Sequence, residues 1–94
     1  MYKEENKRRS KLEIMLTVLG AVRDGEKKPT KIMYAANMSW NLTQRIFRDL
    51  VEQGLLEMRE EPKGKRVIRR YELTEKGLNV LQYFEEANTL LNIS

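Results

Sequence analysis

The sequence contains no cysteine and no histidine. Without cysteine there is no disulfide and no thiolate metal site. Without histidine the usual general base near neutral pH and the commonest zinc ligand are missing, and so is every Ser-His or Cys-His pair. The 5 glycines form no Gly-rich phosphate loop. Carboxylates and lysines remain, a poor set of groups for catalysis, so the chain is expected not to be an enzyme and to hold no metal or cofactor. No apolar run approaches the ~20 residues of a membrane span. The mixed-charge opening from Lys3 to Lys11 leads into no apolar signal region with a cleavage site. A cytoplasmic protein without a membrane partner is expected. No repeat, low-complexity segment or domain boundary divides the 94 residues, and residues 1–94 read as a single domain. A chain of this length buries roughly two-thirds of the surface its unfolded form exposes.

What is present is charge, unevenly placed. Charged residues make up 34% of the chain and the net charge is +4, against the ~25% charged of an average soluble protein. Residues 59–70 carry Arg59, Lys63, Lys65, Arg66, Arg69 and Arg70 against Glu60 and Glu61. Residues 72–94 reverse the balance, with Glu72, Glu75, Glu85 and Glu86 against Lys76 alone. A basic end and an acidic end read either as an oriented polyanion-binding face or as a solvated surface.

The apolar pattern supplies the scaffold. Ser10 and Glu13 form a Ser-x-x-Glu capping box. Leu12, Met15, Leu16, Leu19 and Val22 follow at helical spacing, widened by Ile14, Val18 and Ala21. This predicts a helix over 7–24, buried on more than one side and stopped by Gly25. Thr30 is the expected N-cap of a second helix over 31–36. Asn37 suits a tight left-handed turn, and Ser39 caps a third helix over 40–53 that Gly54 ends. Two helices around a turn of about three residues make a helix-turn-helix. A hairpin over 55–73 comes next. Its first strand runs from Leu55 to Glu60 and its second from Val67 to Leu73, around a Glu61-Pro62-Lys63-Gly64-Lys65 turn. Thr74 caps a last helix over 75–92. The fold class is mainly α with a small β-hairpin (α+β). It is a winged helix-turn-helix with an additional C-terminal helix, and the hairpin turn is the wing.

Three stretches are similar to a known family: Thr30-Lys31-Ile32-Met33-Tyr34-Ala35-Ala36-Asn37-Met38-Ser39-Trp40, Leu50 through Gly54-Leu55-Leu56, and Tyr71-Glu72-Leu73-Thr74-Glu75-Lys76-Gly77. Together the chain resembles archaeal winged-helix DNA-binding proteins, a family that includes small dimeric crenarchaeal chromatin proteins and transcription regulators. The resemblance implies binding to double-stranded DNA, no cofactor, and a homodimer formed through the C-terminal helix. Two positions depart from it. Trp40 stands where the family carries Tyr. Thr43 stands where it carries Leu, a weaker core residue for which Leu42 and Ile46 compensate. The C-terminal helix is also shorter than in the chromatin members, which argues against a long antiparallel coiled coil.

In a helix-turn-helix the second helix lies in the major groove and its N-terminal half meets base edges. Trp40, Ile46, Phe47, Leu50 and Val51 are its expected core positions. Asn41, Gln44, Arg45 and Arg48 are its outward positions, where Asn and Gln suit adenine and Arg suits guanine. Each is also an ordinary exposed residue. Thr30 and Ser39, at helix starts, are candidates for phosphate contact. Trp40 reads either as a core aromatic or as a side chain stacked on a base or sugar, and Tyr34 similarly, with its hydroxyl near a phosphate. In the wing, Lys63, Lys65 and Arg66 are expected to touch phosphates while Pro62 and Gly64 fix the turn. Glu60 and Glu61 either flank the tip or pair with Arg69 and Arg70.

On the last helix, Leu78, Leu81 and Phe84 point to the core. Val80, Tyr83, Ala87, Leu90 and Leu91 extend an apolar band that marks a dimer interface. The alternative is that this helix folds back over the first helix of its own chain. The function expected is a sequence-specific transcription regulator, cytoplasmic and nucleoid-associated. The alternatives are an architectural chromatin protein with little sequence preference and a protein-interaction module. No motif suggests a small-molecule ligand.

Overall fold

The computed structural model describes residues 10–91. The expected extension of the first helix over 7–9, and residue 92 of the last, lie outside them. Helix α1 spans Lys11–Arg23. The Ser10 hydroxyl accepts the Glu13 N–H at 3.0 Å, and the Glu13 carboxylate accepts the Ser10 N–H at 3.1 Å. Both halves of the capping box are therefore present. Beyond the helix Gly25 takes a left-handed φ of 105°. Ile14, Val18, Leu19 and Val22 are buried, whereas Leu12 is exposed.

Helix α2 spans Pro29–Ala35, and its N-cap is Lys28, not Thr30. The cause is Pro29. Its ring fixes a helical φ and its missing N–H would be unpaired in the first turn anyway, so the proline takes the first helical position. Asn37, at φ 58°, turns the chain into helix α3, Trp40–Glu52. Ser39 caps α3 by accepting the Leu42 N–H at 3.1 Å. Ile46, Phe47 and Leu50 are buried as expected, but Trp40 remains 45% exposed and is not a core residue. Thr43 does not weaken the core. It is fully buried, and its hydroxyl donates to the Ser39 carbonyl at 2.8 Å, so no polar group is left unpaired.

Strands β1, Leu56–Lys63, and β2, Arg66–Leu73, pair antiparallel from Leu56↔Leu73 to Lys63↔Arg66. The strands run further than the sequence suggests, and the turn is only Gly64 and Lys65. Gly64 sits at φ 64°, a conformation that favours glycine because most side chains are strained there. Pro62 lies inside β1 opposite Val67 and does not shape the turn. The closing pair of a two-residue turn exchanges both hydrogen bonds, so the next pair is a non-hydrogen-bonded one. The Pro62 nitrogen therefore faces the open edge, where a missing N–H costs the ladder nothing. Eight residues per strand reach about 26 Å at 3.3 Å per residue. Between Arg59 and Arg70 only Ile68 is even half-buried, so the ribbon stands clear of the core.

Helix α4 spans Glu75–Leu91. The Thr74 hydroxyl accepts the Gly77 N–H at 2.9 Å and donates to the Gly54 carbonyl at 2.6 Å. Lys76 donates to the Gln53 carbonyl at 2.8 Å. The start of α4 is thus tied to the end of α3. The shared core joins Val18 and Leu19 of α1, Ile32 of α2, Ile46 and Leu50 of α3, Leu56 of β1 and Leu81 of α4. Phe47 packs on Tyr71 of β2 with ring centroids 4.5 Å apart. Four helices and a two-stranded antiparallel hairpin make the mainly helical α+β winged helix-turn-helix that the element order predicts.

Candidate functional site

The capped start of α3 and the far end of the hairpin carry the exposed polar residues that the sequence singles out. Asn41, Gln44, Arg45 and Arg48 are all exposed on α3. Trp40, Gln44 and Arg48 form one i, i+4, i+8 row along the helix. Lys63 and Arg66 face each other at the end of the ladder, and Lys65 sits in the turn between them. Thr30 is exposed in the first turn of α2. The Ser39 hydroxyl oxygen already accepts the α3 cap, which leaves its O–H as the available donor.

Cations fall into two groups. One group is neutralised within the chain. Lys11 pairs with Asp49 at 2.9 Å, Arg23 with Glu85 at 2.7 Å, and Lys27 with Glu72 at 4.0 Å. On the hairpin stem, Arg59 lies between Glu57 and Glu72 at 3.6 and 3.8 Å. Arg69 meets Glu60 at 3.9 Å and Arg70 meets Glu61 at 2.7 Å. Glu60 and Glu61 therefore pair with the stem arginines. The hydrogen bonds from Arg23 to Glu85 first, and to Asp24 second, raise its guanidinium pKa above the ordinary value. The other group is Lys28, Lys31, Arg45, Arg48, Lys63, Lys65 and Arg66. Among the described residues none of these side chains has an ion-pair or hydrogen-bond partner. They occupy the start of α2, the outer face of α3 and the hairpin tip. Lys28 and Lys31 were missed by sequence reasoning, although their signal, two lysines flanking Pro29 and Thr30, is plain in the chain.

A trough runs between α3 and the hairpin root. Its upper part is a cleft of about 230 Å³ bounded by Pro29, Thr30, Trp40, Gln44 and Arg69, with Phe47 and Tyr71 behind. Its lower part, about 300 Å³, continues past Gln44 and Arg48 to Glu52. The trough brings Arg69 beside the α3 residues, which its place in the sequence does not suggest.

The apolar band of α4 divides. Val80 packs against the core of its own chain. Tyr83, Leu90 and Leu91 are 66%, 83% and 68% exposed, and Tyr83 stands edge-on to Phe84. Ala87 lines a groove of about 790 Å³ between α1 and α4, with Leu16, Gly20, Phe84 and Leu91. The last helix does lie against α1, through Arg23 and Glu85 among others, and no described residue covers its outer face at Tyr83, Leu90 and Leu91. Among the described residues no group of Asp and Glu is placed to hold a metal ion, and no helix is long and apolar enough to cross a membrane.

Comparison with known proteins agrees with this architecture. The profile of the winged helix-turn-helix family matches residues 8–92. An uncharacterized protein of the archaeon Methanocaldococcus jannaschii is 29% identical over 92 residues, covering 96% of this chain and 87% of its own. A second one from that organism is 32% identical over 84 residues, covering 89% of this chain and 36% of its own. Among solved structures, the zinc-responsive MarR family member ZitR of Lactococcus lactis superposes with a TM-score of 0.58 at 25% identity. The match covers 78% of this chain and 48% of ZitR. MepR of S. aureus, solved as a DNA complex, gives 0.61 at 17% identity over 89% of this chain and 64% of its own. The adhesin competence repressor AdcR of Streptococcus pyogenes gives 0.61 at 24% identity over 96% and 66%. This chain thus spans about half to two-thirds of those proteins.

Proposed function

The chain belongs to the winged helix-turn-helix family, and from that premise we propose that it binds double-stranded DNA as a homodimeric transcription regulator, with no catalytic step and no cofactor. One observation carries the reading. Among the described residues, the cations that lack a partner are those at the start of α2, on the outer face of α3 and at the hairpin tip, while the other described lysines and arginines are held by carboxylates or a carbonyl. A phosphate backbone supplies the missing anions. That MepR was solved with DNA supports the same reading.

In this reading α3 lies in the major groove. Asn41, Gln44, Arg45 and Arg48 face base edges, which favours sequence-specific over purely architectural binding. Thr30 and Ser39 donate to phosphates at the groove wall. Lys63, Lys65 and Arg66 reach the flanking backbone or minor groove. Tyr83, Ala87, Leu90 and Leu91 form the two-fold contact, with Val80 beneath them, and so place two α3 helices on one face of the duplex. Binding of this kind places the protein in the cytoplasm with the nucleoid. The test is titration of pooled random duplexes at two salt concentrations. If a dimer neutralises about six to eight phosphates, log K falls with log salt at a slope of roughly −5 to −7. No binding to any duplex at low salt overturns the proposal.

A further inference from the structure

Trp40 is a large apolar side chain left 45% exposed among polar and cationic neighbours. Its azimuth on α3 is that of the core, since it lies seven residues before the buried Phe47. Its height along the axis is not. It is the first residue of the helix and stands at a cleft that Pro29 and Thr30 of α2 and Arg69 and Tyr71 of β2 also line. The same side chain heads the exposed row that continues through Gln44 and Arg48. The indole is also flanked by Thr30, exposed in the first turn of α2, and by Arg69 across the cleft. The exposed part of this apolar surface has no partner among the described residues.

We propose that Trp40 is an apolar DNA contact, packing its indole on the hydrocarbon surface at the edge of the major groove. This inference rests on the DNA-binding reading above. The surface offered there is of one chemistry, from two sources: the 5-methyl group of a thymine, or the face of a deoxyribose. Either is covered by an indole without releasing a counterion. The contact therefore adds affinity that salt does not screen, unlike the phosphate contacts of Lys65 or Arg66. Covering on the order of 60 Å² of apolar surface at about 25 cal/mol per Å² corresponds to roughly tenfold in affinity.

Trp40 is the single tryptophan of the chain, so the wild-type protein carries its own probe. Binding is followed by the anisotropy of a labelled duplex, and the indole by its emission and its quenching by acrylamide. The expected result is that emission changes with the same midpoint as anisotropy and that acrylamide quenching falls in the complex. Trp40→Phe retains most of the affinity. Trp40→Ala loses roughly tenfold with the salt slope unchanged. Replacing thymine by uracil in the duplex abolishes the Trp40 effect if the methyl group is the partner and leaves it intact if the sugar is; either outcome supports the contact. A saturated complex in which emission and acrylamide quenching are those of the free protein overturns it and leaves the DNA-binding reading standing. Absence of any duplex binding overturns that reading, and this contact with it.

Discussion

Gly77 in the first turn of α4 sits against the carbonyl oxygen of Leu55 so closely that a Cβ there would overlap it, and would also press on Leu73. The Leu55 carbonyl cannot retreat freely, because it accepts the Thr74 N–H at 3.2 Å while the Leu55 N–H is held by Leu50. The approach is what lets α4 leave the hairpin and run back toward α1. Gly77→Ala should therefore destabilise the fold, although alanine is the better helix former by ~1 kcal/mol. A net loss of about 2 kcal/mol is expected from overpacking, or about 8–16 °C in Tm for a domain of this size. Thermal unfolding at fixed protein concentration measures it, and an unchanged Tm would show that the joint relaxes easily.

Reading and holding separate by residue. Gln44→Ala or Arg48→Ala should reduce discrimination among duplexes by about 1–3 kcal/mol, the worth of a bidentate base contact. Lys65→Ala or Arg66→Ala should weaken all duplexes alike and flatten the salt slope by about one unit each. Competition titrations against sets of sequences distinguish the two. If the helix variants behave as the tip variants do, the protein holds DNA without reading it.

The hairpin stem carries its own brake. Glu60 and Glu61 occupy Arg69 and Arg70, which are exposed and so only weakly committed to these pairs. The double substitution Glu60→Gln, Glu61→Gln should tighten binding to every duplex and steepen the salt slope by about one to two units, as two arginines become available to phosphate. Unaltered affinity at low salt would place the stem away from DNA.

Assembly is tested on α4. Leu90 is 83% exposed beside Leu91 at 68%, an apolar end that a second copy is expected to cover. Leu90→Glu should halve the mass measured by light scattering. A wild-type protein that is monomeric at high micromolar concentration would remove the dimer from the proposed function.

Local chemistry was legible in the chain. The Ser10/Glu13 box, the Ser39 cap and the left-handed Gly25, Gly54 and Asn37 depend on a few neighbouring residues, and all are as the sequence suggests. The helix-turn-helix and the hairpin followed from them. What failed depended on where an element lies relative to others. Periodicity gives the azimuth of Trp40 but not its height, so an indole on the core side of α3 reads as a core residue in the sequence and is exposed in the fold. Thr30 does not cap α2 because Pro29 takes the first helical position, which makes Lys28 the cap and puts Thr30 inside the first turn. Pro62 read as a turn residue because the pairing that turns its nitrogen outward is set by Gly64 two residues on. Thr43 looked like a weakness because its hydroxyl's partner, the Ser39 carbonyl, is a backbone atom that no side-chain pattern reveals. Among the candidate site residues, those on α3 and at the tip stand exposed as expected, and Arg69 joins them only through the fold.

Among the described residues no third strand joins the hairpin, so along its projecting part the outer rows of N–H and C=O groups are open to any neighbouring chain that offers one. Such ribbons are templates for aggregation unless something interrupts them. Here Pro62 removes one donor from the outer row of β1, and between Arg59 and Arg70 the ribbon's only apolar side chains besides that proline are Val67 and Ile68. A chain arriving edge-on would find a missing hydrogen bond and a crowd of charges with no dry surface to share. The wing is thereby able to project from the domain at high concentration without sticking to its own kind, and replacing Pro62 with a β-branched residue would put solubility at risk before it touched stability.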